Sequence, residues 1–195
     1  MNNQFSILGP PRVIGLGDTD TPCFFVALPW DQPNEDENLQ SLLDAHFIQN
    51  QRVNCANQYC HAAIDETSSI VILDPQPVIV IALNRTRQRP GLAAEANRNN
   101  PNWVAPPPEV NHRDVSLSEI IEVPCLGGER ARFELAATIE HTGGAEAGHY
   151  AAHLRFNNDY YAASDNLPIL RSADSHYNVE KSTIFLFKKL EDDYY

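Results

Sequence analysis

Residues 139–166 read IEHTGGAEAGHYAAHLRFNNDYYAASDN, and the pair His149 and Asp165 within them is the feature that the rest of the chain has to place. The run Gly143-Gly144-Ala145-Glu146-Ala147 is small and aperiodic, which predicts a mobile loop without regular structure. Tyr150 to Leu154 and Tyr160 to Ala163 are aromatic-rich runs of strand type on either side of a turn signal, Asn157-Asn158-Asp159. The prediction is a hairpin in which His149 opens one arm and Asp165 closes the other. Chain direction reverses at the turn, so both residues stand at the open end, close in space. An imidazole beside a carboxylate is the base and orienter of an acyl-transfer triad: the carboxylate fixes the tautomer and stabilises the imidazolium.

The order of pieces is more specific than the pair. His141-Thr142-Gly143, a glycine-containing loop, Gly148-His149-Tyr150, Tyr161 and Asp165 follow one another as in a histidine box. The stretch resembles that box in the ubiquitin-specific proteases, papain-like cysteine peptidases that cleave ubiquitin from proteins. One departure is Ser164, where the family usually places an aromatic residue before the acid. The resemblance implies an α+β fold, the palm and fingers portion of such a protease, mainly antiparallel sheet with few short helices. It implies His149 and Asp165 as catalytic residues, with Gly148, Tyr150, His141 and Tyr161 facing the substrate, and no cofactor. Gly148, having no side chain, would let the thin Gly-Gly tail of ubiquitin lie against the backbone.

A chain of 195 residues with 43% hydrophobic content suits one domain with its own core. The net charge of -12 supplies no basic field for nucleic acid and suits a basic protein partner better. No apolar run approaches the roughly 20 residues that span a bilayer, and Met1 to Pro11 has no signal-peptide character. Four irregularly spaced cysteines, Cys23, Cys55, Cys60 and Cys125, make no disulfide framework. The expectation is a reduced protein of cytoplasm or nucleus, without membrane or nucleic-acid partners.

From the start, residues 1–20 read as an irregular segment broken by Gly9, Pro10, Pro11, Gly15 and Gly17, followed by a single domain over 21–190. Cys23 to Leu28 is a strand, and Leu39 to Phe47 a helix with Leu39, Leu42, Leu43 and Phe47 on one buried stripe. Cys55 and Cys60, with His61, invite a zinc reading, but a structural site wants four ligands and no second Cys-x-x-Cys exists. A degenerate finger without metal is expected. Val78 to Leu83 is nearly continuous in apolar character and predicts a core strand covered on both faces, leading into Asn84-Arg85, which partly matches the family's palm strand. Residues 88–108 form a Pro- and Asn-rich flexible insertion containing Trp103. Val115 to Val123, Phe133 to Ile139 and Ser182 to Phe187 complete the strands.

The likeness runs from Cys23 to Lys189, yet the family's nucleophile sits in an upstream Asn-x-Cys box with no clear copy here. Cys23 is a faint echo of it, set in a strand-like run after Pro22. Two readings stand. In one, the chain supplies the His/Asp half of a deubiquitinase that hydrolyses the isopeptide bond at the ubiquitin C-terminal glycine. A missing N-terminal half then supplies the thiol, and the isolated chain is inactive. In the other, the chain is an inactive module that binds ubiquitin, a ubiquitin-like protein or another protein.

Overall fold

The computed structural model describes residues 7–8, 12–14, 21–30, 37–54, 63–88, 107–145, 147–157, 159–164, 169–172 and 182–191. The strands are β1 (Ile7–Leu8), β2 (Arg12–Ile14), β3 (Cys23–Ala27), β4 (Glu37–Asn38), β5 (Ile48–Asn54), β6 (Ala63–Ile72), β7 (Val78–Asn84) and β8 (Thr86–Arg87). They continue with β9 (Glu109–Val110), β10 (Val115–Ser116), β11 (Ile120–Pro124), β12 (Arg130–Gly143), β13 (Gly148–Phe156), β14 (Asp159–Ser164), β15 (Leu170–Ser172) and β16 (Ser182–Lys189). One helix, α1 (Leu39–Phe47), is present among the described residues. This is the expected α+β class with a dominant sheet, and no described helix is long and apolar enough to cross a membrane.

An eight-stranded sheet in the order β15-β14-β13-β12-β16-β7-β3 carries the fold, with β11 paired to the first half of β12. All its pairings are antiparallel except β3 on β7. The last strand in sequence, β16, lies between β12 and β7, so the apolar STIFLF run becomes a central strand. β7 buries Ile79, Ile81 and Leu83 on one face and leaves Val78, Val80 and Ala82 half-buried on the other. The continuous apolar run therefore marks an interior strand, but only one of its faces is fully covered, which corrects the two-sided expectation.

That buried face meets α1. The helix begins where Asn38, in extended geometry, accepts hydrogen bonds from the Gln40 and Ser41 backbone N–H groups at 2.8 and 3.4 Å, satisfying two otherwise orphaned donors. It presents Leu39, Leu42, Leu43 and Phe47 to Phe24, Val26, Phe133, Phe185 and Phe187 in one core. Gln40 also holds the outer edge of β11: its Oε1 accepts from Glu122 N at 2.7 Å and its Nε2 donates to Glu122 O at 2.9 Å, as a neighbouring strand would.

His46 sits in the last helical turn with its ring against Phe24 and Phe47. A helix C-terminus favours a cation, but burial against these rings dominates and lowers the imidazole below its ordinary 6.5. The unfolded chain then binds a proton in a window where the folded one does not. Stability from this residue is complete above 6.5 and is lost as pH falls through the lowered folded value. We expect the urea midpoint to drop between about pH 7.5 and about pH 5.5, and to drop less in His46→Gln; equal drops in the two proteins would reject this role.

Two expectations need correction. Residues 1–20 contribute β1 and β2, both parallel to β6, so this segment adds strands despite its glycines and prolines. Val115 to Val123 is not one strand: β10 pairs with β4 while β11 pairs with β12, and the chain changes sheets between them. Cys55, Cys60, His61, Trp103 and residues 89–106 lie outside the described residues.

Candidate functional site

The site is set by β12. Its first half shares the core, with Phe133 and Leu135 on the side of α1. A bulge between Leu135 and Ala137 then inserts one residue, so that Thr138, opposite Phe185, stands on the same face as Leu135, opposite Phe187. Beyond the bulge that face turns polar. The β12–β13 register sets Thr138 against His153, Glu140 against Ala151 and Thr142 against His149. The β13–β14 register sets His153 against Ala162 and Ala151 against Ser164. One sheet face thus collects Thr138, Glu140, His149, His153 and Ser164; the other collects Ile139, His141, Tyr150 and Ala152.

The predicted hairpin is present. Its arms are longer than the apolar runs suggested, because Asp159 is already paired to Phe156, and Asn157 enters the turn at φ 49°. His149 is the second residue of β13, exposed, and its Nε2 is hydrogen-bonded to Ser164 Oγ. Asp165 follows Ser164 directly and lies outside the described residues. Tyr161 is half-buried on β14, between Leu154 and Arg171.

At both ends of the segment expected to lack regular structure the chain stays paired. Pairing continues to Gly143 opposite Gly148, and Gly144 N donates to Ala147 O at 2.9 Å. Gly143 has φ +129°, and a Cβ there would stand 2.7 Å from Ala147 O, so glycine is what lets the strand reach the turn.

Gly148 has a second reason to be glycine. A Cβ would fall 2.0 Å from His141 Nε2 and 2.7 Å from Thr142 O. The space above its Cα is therefore filled by the chain's own imidazole, which also lies against the Tyr150 ring at 4.5 Å between centroids. We expect Gly148→Ala to cost about 2–3 kcal/mol by overpacking, read as a shift in denaturant midpoint. His141→Ala in the same chain should recover only part of this, since the Thr142 carbonyl is backbone. Full recovery would place the whole conflict on His141.

His141 and Tyr150 line a cavity of about 390 Å³ together with Phe25, Asn84, Asn111 and His112 on the face opposite His149. A larger cavity of about 620 Å³ lies between α1, β6 and the turn from Cys125 to Glu129. None of the expected site residues lines it, so size does not mark the chemistry here.

Sequence reasoning missed Glu140 and His153, a carboxylate and an imidazole 3.6 Å apart, each mostly covered. Glu140 Oε2, His153 Nε2 and the Thr138 hydroxyl have no hydrogen-bond partner among the described residues. The signal was available: in a strand containing His149, His153 shares its face. The described thiols stand elsewhere. Cys23 on β3 is four strand positions from β13, on the order of 20 Å across the sheet, before any offset along the strands. Cys125 precedes β12 at its far end, roughly 40 Å of extended strand from Thr142, the register partner of His149. The faint Cys23 echo is thus not placed beside the imidazole. Among the described residues no group of three or more His, Cys, Asp or Glu side chains is arranged to hold a metal ion.

No family model matches the sequence, and no curated protein matches it. Solved structures do. The chain aligns with a chain of the SAGA Ubp8/Sgf11/Sus1/Sgf73 DUB module bound to ubiquitin aldehyde at TM-score 0.62 and 13% identity, covering 87% of this chain and 36% of that one. A module of the same composition, with a point variant of Ubp8 and bound to monoubiquitin, gives TM-score 0.60 at 14% identity over 87% of this chain and 35% of the other. The yeast SAGA DUB module with a point mutant of Sgf73 gives the same four figures. The chain therefore spans about a third of the length of the solved chains it matches. At such identity the likeness speaks for the fold alone: the sheet and its helix share the fold of part of a chain in that DUB module.

Proposed function

We propose that this chain is the histidine-bearing half of a deubiquitinase of the ubiquitin-specific-protease type, acting on the isopeptide bond at the C-terminal glycine of ubiquitin or a ubiquitin-like protein. The observation that carries the reading is the position of His149 at the open end of β13–β14, against Ser164, the residue that precedes Asp165, within a deubiquitinase-like fold. The thiol comes from sequence outside this half. His149 takes the thiol proton, and the thiolate attacks the glycine carbonyl carbon. The C–N bond breaks as His149 returns that proton to the lysine amine, and water then hydrolyses the thioester. Asp165, next in sequence to Ser164, stabilises the imidazolium by its charge. The sheet face that carries His141, Gly148, Tyr150 and Tyr161, with the cavity walled by His141 and Tyr150, is opposite His149 and is offered to ubiquitin away from the scissile bond.

A second reading has its own support: among the described residues neither Cys23 nor Cys125 is near His149, as in a module that binds ubiquitin without chemistry. The test is cleavage of a ubiquitin C-terminal fluorogenic substrate by this chain, alone and with an upstream cysteine-bearing half added, beside a calorimetric ubiquitin titration. Turnover only with the added half supports the enzyme. Binding without turnover in both settings supports the module, and absence of both rejects ubiquitin as the partner.

A further inference from the structure

The residue where this chain departs from the histidine-box pattern touches the imidazole. Ala151 and Ser164 are register partners, and His149 stands two residues before Ala151 on the same sheet face, so its side chain leans diagonally across to Ser164. An aromatic residue at this position has no such short hydroxyl to offer. Ser164 does, it is half-buried, and its Oγ meets Nε2 of His149.

We propose that Ser164 is a positioning residue for His149, its hydroxyl accepting the Nε2–H and so assigning the basic lone pair to Nδ1. The inference rests on the deubiquitinase reading for its purpose, but its geometry is independent of it. A serine hydroxyl can donate or accept, and the direction follows from the proton cycle. The base is neutral, then charged, then neutral again. An Nε2–H donor is present in both forms, so a hydroxyl that accepts from it keeps the ring in place throughout. A hydroxyl donating to Nε2 would have to give way or turn whenever that nitrogen is protonated. Acceptance by Ser164 also agrees with the tautomer that a free imidazole prefers in water. The ring is then held by a neutral group on a paired strand.

The test uses nitrogen NMR of His149 in the full chain, which reads the tautomer without any turnover. The wild type should carry its proton on Nε2, with a pyridine-type Nδ1. Ser164→Ala should move both nitrogens toward tautomer-averaged shifts, and Ser164→Thr, which keeps the hydroxyl, should restore them. A proton on Nδ1 in the wild type, or unchanged shifts in Ser164→Ala, would overturn the proposal. In the assembled enzyme, Ser164→Ala should lower kcat about tenfold with KM unchanged, and Ser164→Thr should recover most of it; a loss that threonine does not recover counts against positioning. If no added half ever gives turnover, the deubiquitinase reading fails while the tautomer result still stands, so the two failures are distinguishable.

Discussion

Arg85→Ala is expected to lower the stability of this protein by about 4 kcal/mol, roughly a thousandfold in the folding equilibrium. Arg85 is 5% exposed, just past the end of β7. Its Nε donates to Ser182 O at 2.9 Å, and its Nη1 donates to Asn111 O and Arg113 O at 3.2 and 2.7 Å. One guanidinium thus fastens the start of the central strand β16 and the segment before β10 to β7. Each is a hydrogen bond from a charged donor, and truncation leaves covered carbonyls without that partner. The Asn111 N–H donates back to Arg85 O at 2.7 Å, a backbone bond that alanine keeps, so the loss belongs to the side chain. Arg85→Lys should recover only a minor part, because an ammonium on a flexible stem does not reproduce the planar fork. Urea denaturation measures this, and a loss below about 1 kcal/mol for Arg85→Ala would mean that the carbonyls find other partners. Arg85 also lines the cavity beside His141 and Tyr150, so ubiquitin binding should weaken in the same variant.

What could be read from the chain beforehand divides along physical lines. Local signals were legible. The stripe Leu39, Leu42, Leu43 and Phe47 gave α1 its bounds, because helical periodicity is a local signal. The asparagines after Phe156 gave the hairpin, since asparagine tolerates the positive φ that Asn157 adopts. Features made by distant partners were not. β1 and β2 exist through pairing with β6, far along the chain, against the local message of their glycines and prolines. The bulge at Ala136 is invisible in composition, yet it decides that Thr138 and Glu140 continue the face begun by Phe133 and Leu135. The order of residues in the histidine box was visible, but which of them share a face follows only from the register, and that brings in Ser164, Glu140 and His153. Gly148 shows the limit in the other direction: its lack of a side chain reads as room for a substrate, while the structure fills that room with His141.

His149→Ala is expected to reduce turnover of the assembled enzyme on the order of 10,000-fold while leaving ubiquitin affinity within about threefold. The separation follows from where the side chain stands. His149 is exposed at the end of β13, outside the apolar core, and on the face opposite the cavity of His141 and Tyr150. Its removal should change stability by less than about 0.5 kcal/mol, so lost activity will not be lost folding. Single-turnover assays with a ubiquitin C-terminal fluorogenic substrate, beside calorimetry and a denaturation curve on the same preparation, measure all three quantities. The competing base is close by. His153 shares the sheet face with His149 and has Glu140 at 3.6 Å, a second imidazole–carboxylate pair farther into the sheet. It is mostly covered, whereas a base that serves a nucleophile from another half must be reached from outside. His153→Ala should therefore lower stability and leave the chemical step nearly intact. Turnover that survives His149→Ala and collapses in His153→Ala would move the base to that inner pair, on the same face of the sheet but farther from the open end of the hairpin.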